Sequence, residues 1–291
     1  MNRKIGYIAA DVGGRSALEV VRLLQQTGYD SVDWTTEQFD PLAESPQKLI
    51  ELVSLARAHG LGVAQFMAHQ DLVTTNPEFW EERVQRTERA LEASAEAAIG
   101  SVGVVTGPNP WVDGCEVIGR DLEESEGWSL VFRALERILK RAEEIGSVKV
   151  SLEPCWGTLA NDRYRAEYVF SRFDSEYLGI NVDPSHYVMS GDDIPDLIHA
   201  WGERITHVHL KDAFGTPGLP ERDFIFLLPG EGMVPFPEMF AALDDVGYDG
   251  VMSVEFEAFR LLNGPLRGDL GAGMKLAREL VQGLTGSDAV R

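Results

Sequence analysis

The stretch VKVSLEPCWGTLANDRYRAEYVFSRFDSEYLGINVD, residues 148–183, contains the pattern that decides the fold. It begins with a short β-rich apolar run at 148–153, continues through an amphipathic segment at 160–172, and ends with a second apolar run at 178–183. A strand, a helix and a strand of these lengths predict two parallel strands that are joined by a crossover helix.

The same alternation continues in both directions along the 291-residue chain. The predicted strands are Lys4–Ala9, Ser31–Trp34, Gly62–Met67, Ser101–Thr106, Val148–Glu153, Leu178–Asp183, Ile205–Lys211 and Gly250–Glu255. The predicted helices are Arg15–Thr27, Pro46–His59, Pro77–Ile99, Glu126–Ile145, Ala160–Arg172, Ile194–Trp201, Pro235–Val246 and Leu266–Leu284. Eight such units predict a single (β/α)8 TIM barrel, an α/β fold that forms one domain over residues 1–291; a doubly wound open sheet is the alternative. The Pro- and Gly-rich segment 212–232 is interpreted as a long loop.

Composition narrows the classes of function. The net charge of −21 disfavours nucleic acid and anionic membranes as partners. No apolar run reaches the roughly 18 residues of a membrane helix, and the N-terminus does not have the pattern of a signal peptide. The two cysteines belong to no metal-binding motif, so we expect a cytoplasmic protein with reduced thiols.

Polar side chains follow or end four successive predicted strands of the second half. Glu153, Asp183 and Glu255 each end a run that a closed barrel would bury, and His209 lies near the end of ITHVHLKD. The carboxyl ends of all barrel strands meet at one mouth, where these three acids would repel one another without a cation. The residues therefore predict one divalent metal, with Mn²⁺ favoured and Mg²⁺, Co²⁺, Zn²⁺ or Fe²⁺ as alternatives.

Other residues near predicted strand ends are candidates to contact a substrate at the same mouth. They are Lys211, His69, Trp34, Trp111 and Trp156. Each also has a plain structural interpretation: a solvated lysine, a loop histidine or tryptophans that only pack. His207 shares the parity of His209 but lies deeper, so a structural role is predicted for it.

Four motifs in the second half resemble those of one known superfamily. The motifs are SLEP at 151–154, NVDPSH at 181–186, HVHLKD at 207–212, and PGEGMVPF at 229–236 followed by GYDGVMSVEFE at 247–257. Together with VDWTTEQFDPL at 32–42, they resemble the xylose isomerase-like TIM barrel superfamily of sugar isomerases and epimerases, so that the resemblance covers nearly the whole chain.

The resemblance implies specific roles for these residues. It implies that Glu153, Asp183, His209 and Glu255 hold the metal, and that His186 binds a substrate oxygen. An arginine that contacts substrate in the epimerases has Arg222 as its nearest counterpart here. The implied reaction is proton transfer next to a carbonyl of a small keto-sugar or polyol through a metal-bound enediolate, with Glu153 and Glu255 as the catalytic acid–base pair. The resemblance also implies a homo-oligomer.

Three other functions stay open at this point. Loss of a β-hydroxyl after the same first step would make the protein a dehydratase that acts on an inosose-like substrate. A DNA-repair endonuclease of the same superfamily needs a multi-zinc cluster and a basic face, which six histidines and a charge of −21 disfavour. The chain would be partner-dependent if it formed one subunit of a C-glycoside-cleaving complex.

Overall fold

A computed structural model of the protein describes residues 3–217 and 222–285. Eight parallel strands close a barrel, and a separate two-stranded hairpin lies outside it. The barrel strands are β1 (Ile5–Ile8), β2 (Ser31–Thr35), β3 (Phe66–Met67), β4 (Ser101–Val104), β5 (Lys149–Leu152), β6 (Leu178–Val182), β7 (Ile205–Leu210) and β10 (Met252–Val254), and the hairpin strands are β8 (Asp212–Pro217) and β9 (Arg222–Leu227). The hydrogen-bonded order β1-β10-β7-β6-β5-β4-β3-β2 closes through the β1–β2 pair. This closure confirms the predicted barrel and excludes the open sheet.

Helices surround the barrel and connect its strands. They are α1 (Ala17–Thr27), α2 (Pro46–Ala58), α3 (Pro77–Glu96), α4 (Glu124–Ile145), α5 (Arg163–Arg172), α6 (Pro184–Ser190), α7 (Ile194–Trp201), α8 (Phe236–Asp245), α9 (Phe259–Asn263) and α10 (Leu270–Thr285). Within the described residues, no helix combines the length and the apolar character that a membrane span requires. The short helices α6 and α9 lie in connections where no helix was predicted, because neither is long enough to show a helical repeat of apolar residues.

Helix α4 shows how the sequence sets the ends of an element. At its start, Glu123 and Glu126 form a reciprocal capping box that satisfies free backbone N–H groups. At its end, Gly146 has φ 74° and closes the helix in the left-handed conformation, which glycine adopts without a Cβ clash. Between these ends, one face that includes Val131, Leu135 and Ile138 is buried. Burial of this apolar face fixes the helix against the barrel.

The segment after β7 is not the loop that the sequence predicted. Strands β8 and β9 pair antiparallel from Asp212 with Leu227 to Pro217 with Arg222. The buried Asp212 carboxylate holds the base of this hairpin, since it accepts N–H groups from Ala213, Gly230, Gly232 and Val234 at 2.8–3.1 Å. The prediction failed because Pro and Gly indicated a turn, whereas the alternating RDFIFL run at 222–227 was not recognised as a strand.

Candidate active site

Four side chains from consecutive barrel strands converge at the carboxyl end of the barrel. Glu153 directly follows β5, Asp183 follows β6, His209 lies in β7 and Glu255 follows β10. One donor atom from each of the four lies within 4.8 Å of the others. The three acids enter a space from which water is largely excluded, so their charges interact strongly.

His209 lies at the centre of this group. Its Nδ1 is 3.2 Å from Oε1 of Glu153, 3.5 Å from Oε2 of Glu255 and 4.0 Å from Oδ2 of Asp183. Burial lowers the pKa of His209, but the charges and hydrogen bonds of Glu153 and Glu255 outweigh it and hold the pKa well above its usual value. The imidazole and the acids therefore stabilise each other's charged forms.

The two glutamates remain carboxylates despite their burial. Burial raises the pKa of Glu153, but His209 and His69 outweigh it and keep the pKa well below its usual value. For Glu255, Lys211 and His209 likewise outweigh burial and leave the pKa below its usual value. Both side chains are thus available as bases near neutral pH.

Asp183 is oriented by the start of helix α6. Its Oδ1 accepts hydrogen bonds from the backbone N–H and the hydroxyl of Ser185, at 2.9 and 2.7 Å. Its Oδ2 faces the cluster and accepts no well-aligned hydrogen bond from the described residues. Burial raises the pKa of Asp183 to about 7, although Lys211 opposes the shift. The carboxylate therefore directs at the other donors an oxygen whose near contact is the ion pair with Lys211.

Lys211 is a buried cation inside this cluster, and not a solvated lysine at the end of a strand. Its Nζ lies 3.0 Å from Asp183, 2.5 Å from Glu255 and 2.8 Å from Glu257. Burial lowers the pKa of Lys211, but these carboxylates outweigh it and hold the pKa well above its usual value. The ammonium therefore neutralises part of the negative charge that burial would otherwise make costly.

His186 presents a hydrogen-bond donor to the same space. Its Nδ1 accepts the backbone N–H of Trp156 at 3.4 Å, and burial lowers its pKa to about 3, so the ring is neutral. The proton of a neutral ring must then lie on Nε2. That atom is 3.5 Å from Oδ2 of Asp183 and 3.8 Å from Oε1 of Glu153.

His69 also reaches the cluster, although its loop position had suggested a plain loop histidine. It follows β3, and its Nε2 lies 3.2 Å from Oε2 of Glu153. His207, by contrast, contacts Asp33 at 2.8 Å and does not belong to the four-donor set. This arrangement agrees with the structural role predicted for His207.

The three candidate tryptophans occupy different places. Trp111 and Trp156 line one cavity and lie 6.2 Å apart between ring centroids. Trp34 is completely buried in β2, and the placement predicted for it at the mouth is wrong. The neighbouring Asp33 points to His207 inside the barrel, so the alternation along a strand directs Trp34 to the opposite face. Arg222 begins β9, but its side chain lies outside the described part of the structure.

Sequence reasoning missed three polar or aromatic contributors to this region. Asn181 donates to Oε2 of Glu153 at 2.8 Å and lies 2.9 Å from Nε2 of His209. Its spacing of two residues from Asp183 was a usable signal, because residues i and i+2 of a strand share a face. Glu257 has the same spacing from Glu255. Phe226 had no such signal, since it lies in a segment interpreted as a loop.

The four-residue donor set fits a divalent cation. Two ligands on opposite sides of such an ion lie about 4–5 Å apart, because each bond is about 2.0–2.6 Å long. The four donor atoms lie within 4.8 Å of one another, which matches this requirement. Oδ2 of Asp183 accepts no well-aligned hydrogen bond from the described residues, so it is available as a ligand. A second group, Glu153, Cys155 and His186, fits less well, since it offers three ligands instead of four and burial raises the pKa of the Cys155 thiol well above its usual value.

Comparison with known proteins identifies curated relatives that match about half of this chain. An inosose dehydratase from Lacticaseibacillus casei is 27% identical over 141 residues, which cover 45% of this chain and 47% of that protein. The chain thus spans about half the length of the curated relatives it matches.

Solved structures agree in fold over nearly the whole chain. A structure titled as the IOLI protein with a bound zinc atom has a TM-score of 0.73 at 18% identity, covering 97% of each chain. A D-psicose 3-epimerase from Clostridium cellulolyticum H10, solved with D-tagatose, has a TM-score of 0.70 at 18% identity, covering 96% of this chain and 98% of that one. The family model described as xylose isomerase-like TIM barrel matches residues 21–280, and this chain therefore belongs to that family.

Proposed function

We propose that this protein is a divalent-metal-dependent sugar isomerase or epimerase that acts on a small keto-sugar or polyol. The observation that carries the proposal is the position of two ionised glutamates around one set of metal-ligating donors. In the barrel order, β7 and β6 lie between β10 and β5, so Glu255 and Glu153 approach the cluster from its two ends. Such a pair suits proton removal and proton return at a carbon that lies between them.

Glu153, Asp183, His209 and Glu255 would hold the metal, and their oxygen-rich set favours Mn²⁺. When bound, the cation supplies Lewis-acid stabilisation of negative charge on substrate oxygens. The low pKa of each glutamate keeps it ionised near neutral pH, so each has an oxygen that can accept a proton.

Three hydrogen-bond donors around the candidate metal ligands would support the same reaction. Nζ of Lys211 lies 2.5 Å from Oε2 of Glu255, so the ammonium holds that carboxylate ionised and in place. The Nε2 proton of His186 would bind a substrate oxygen and orient the sugar. Asn181 contacts both Glu153 and His209 and would fix the positions of their side chains relative to each other.

The two-base scheme is tested by replacing Glu153 and Glu255 singly with Gln and following solvent deuterium into a panel of keto-sugars. Each substitution removes one proton acceptor and leaves the shape of the side chain nearly unchanged, so exchange should fall by about 10²–10⁴-fold. Asp245→Asn, an exposed carboxylate beside His199, is the control and should retain full exchange. Wild-type exchange rates in both glutamine variants would refute the scheme.

Dehydration is the second candidate, and the named relatives favour it because they are inosose dehydratases. The same proton abstraction would then be followed by departure of a β-hydroxyl as water. Mass spectrometry of an inosose incubated with the Mn²⁺-loaded protein separates the two outcomes. Loss of one water supports the dehydratase, and deuterium incorporation at unchanged composition supports the isomerase or epimerase.

A further inference from the structure

A cavity of about 320 Å³ lies beside the candidate active site and is walled mainly by aromatic side chains. This cavity, here called the aromatic cleft, has a mainly aromatic lining with two charged members: Trp111, Trp156, Phe224, Ile225, Phe226, Phe259, Glu257 and Arg260. Its walls come from separate connections at the same mouth of the barrel: those after β4, β5 and β10, and the β8–β9 hairpin. The aromatic cleft is therefore assembled by the fold and is not a chance exposure of one ring.

The aromatic cleft borders the carboxylate cluster through Phe226 and Glu257. The Phe226 ring lies 4.5 Å from Nζ of Lys211 and 5.7 Å from the His186 ring. Glu257 lines the aromatic cleft and also contacts Lys211 at 2.8 Å. A molecule with one part at Lys211 would extend its remaining part into the aromatic cleft.

The lining offers stacking surface to an aromatic ring. Trp156 packs against Trp111 at 6.2 Å and against Phe224 at 4.9 Å between ring centroids, which gives a firm aromatic wall. Trp111 remains 46% exposed, so it has surface left to bury against a ligand. An aromatic ring gains from stacking against such walls and has no hydroxyl groups whose hydrogen bonds to water would be lost on burial.

We propose that the aromatic cleft binds an aromatic aglycone, so that the preferred substrate carries its keto-sugar as an aryl glycoside. This inference rests on the proposed function, since it assumes that the sugar part reacts at the carboxylate cluster. The sugar contacts Lys211 and His186, and the aglycone stacks between Trp111 and Phe224.

The test compares the binding of phenyl β-D-glucopyranoside and methyl β-D-glucopyranoside to the Mn²⁺-loaded full-length protein by isothermal titration calorimetry. Neither probe has a ketone, so the readout does not depend on catalysis. We expect the phenyl glycoside to bind about tenfold tighter, as one or two stacked rings would give. Trp111→Ala and Phe224→Ala should each reduce that preference by at least threefold, whereas Phe79→Ala, which removes an exposed aromatic ring outside the aromatic cleft, should leave it unchanged.

Equal affinity for the two glycosides in the wild type would overturn the inference, and so would a full phenyl preference in both cleft variants. A phenyl preference that depends on Trp111 and Phe224 upholds the aromatic cleft even if no keto-sugar exchanges deuterium. That combination would count against the proposed function alone.

Discussion

The polar interior of the barrel includes a buried pair below the candidate site. Nε2 of His207 and Oδ2 of Asp33 lie 2.8 Å apart, and both side chains are at most 2% exposed. Asp33 also accepts the backbone N–H of Gln65 at 3.1 Å. Burial raises the pKa of Asp33, but His207 and other donors outweigh it and leave the pKa below its usual value. The ionised form of Asp33 is therefore favoured by the fold.

Replacing Asp33 with Asn should lower the free energy of unfolding at pH 7 by about 2 kcal/mol, because a buried hydrogen bond to a charged group is lost. Because the folded pKa is depressed, the contribution of Asp33 is fully present above a pH of about 4 and is lost as pH falls through the folded pKa. Urea unfolding from pH 3 to 7 measures both effects. Asp245→Asn, at the exposed partner of His199, should change stability by less than about 1 kcal/mol. Equal losses in the two variants would contradict the assignment.

Asn181 supports two candidate metal ligands without belonging to the donor set. Its amide orients the carboxylate of Glu153 and the ring of His209. Asn181→Ala should therefore weaken Mn²⁺ binding by about 10–100-fold, as loss of such outer partners does in other metal sites. Calorimetric titration with Mn²⁺ measures this loss, and Asn161→Ala, outside the cluster, should bind like the wild type. Undiminished affinity in Asn181→Ala would show that the ligands hold their positions without it.

At the scale of elements, one carboxylate fixes the hairpin that walls the aromatic cleft. Asp212→Ala would leave the backbone N–H groups of Ala213, Gly230, Gly232 and Val234 without their acceptor. The free energy of unfolding should fall by about 2–3 kcal/mol. Hydrogen exchange at 213–217 and 222–227 should accelerate more than exchange in the barrel strands. Uniform acceleration across the molecule would indicate a global loss of stability instead of a local one.

Replacing glycine with alanine should have opposite effects on stability at two positions. Gly146 closes α4 at φ 74°, so Gly146→Ala should destabilise the protein by about 1 kcal/mol. Gly283 lies inside α10, and a Cβ there would meet no atom within 4 Å, so Gly283→Ala should stabilise it by about 0.5–1 kcal/mol. Thermal unfolding of the two variants measures the difference. Shifts of the same sign would contradict the conformational argument.

At the scale of the whole molecule, the order of strands and helices was predictable because each barrel strand is a short buried run and most helices carry an apolar face. The convergence of Glu153, Asp183, His209 and Glu255 followed from the same logic, since strand ends of a parallel barrel share one mouth. Their roles as ligands and acid–base groups stay predictions until the metal and exchange experiments are made.

Other features depend on information that local sequence patterns do not contain. The face of β2 to which Trp34 points depends on the register of the strand in the barrel. The prediction that Trp34 lies at the mouth was wrong for this reason. The buried position of Lys211 depends on its ion pairs with Asp183, Glu255 and Glu257, which lie far from it in the sequence. The hairpin depends on a long-range contact between Asp212 and the amides at 230–234.

The way in which the barrel closes also determines when the site can exist during synthesis. Glu255 directly follows β10, and β10 joins the barrel by pairing with both β7 and β1. A nascent chain still on the ribosome therefore holds Glu153, Asp183 and His209 long before the fourth donor emerges. The four-donor set is complete only after the earliest and the latest strands have met, so an unfinished polypeptide lacks it.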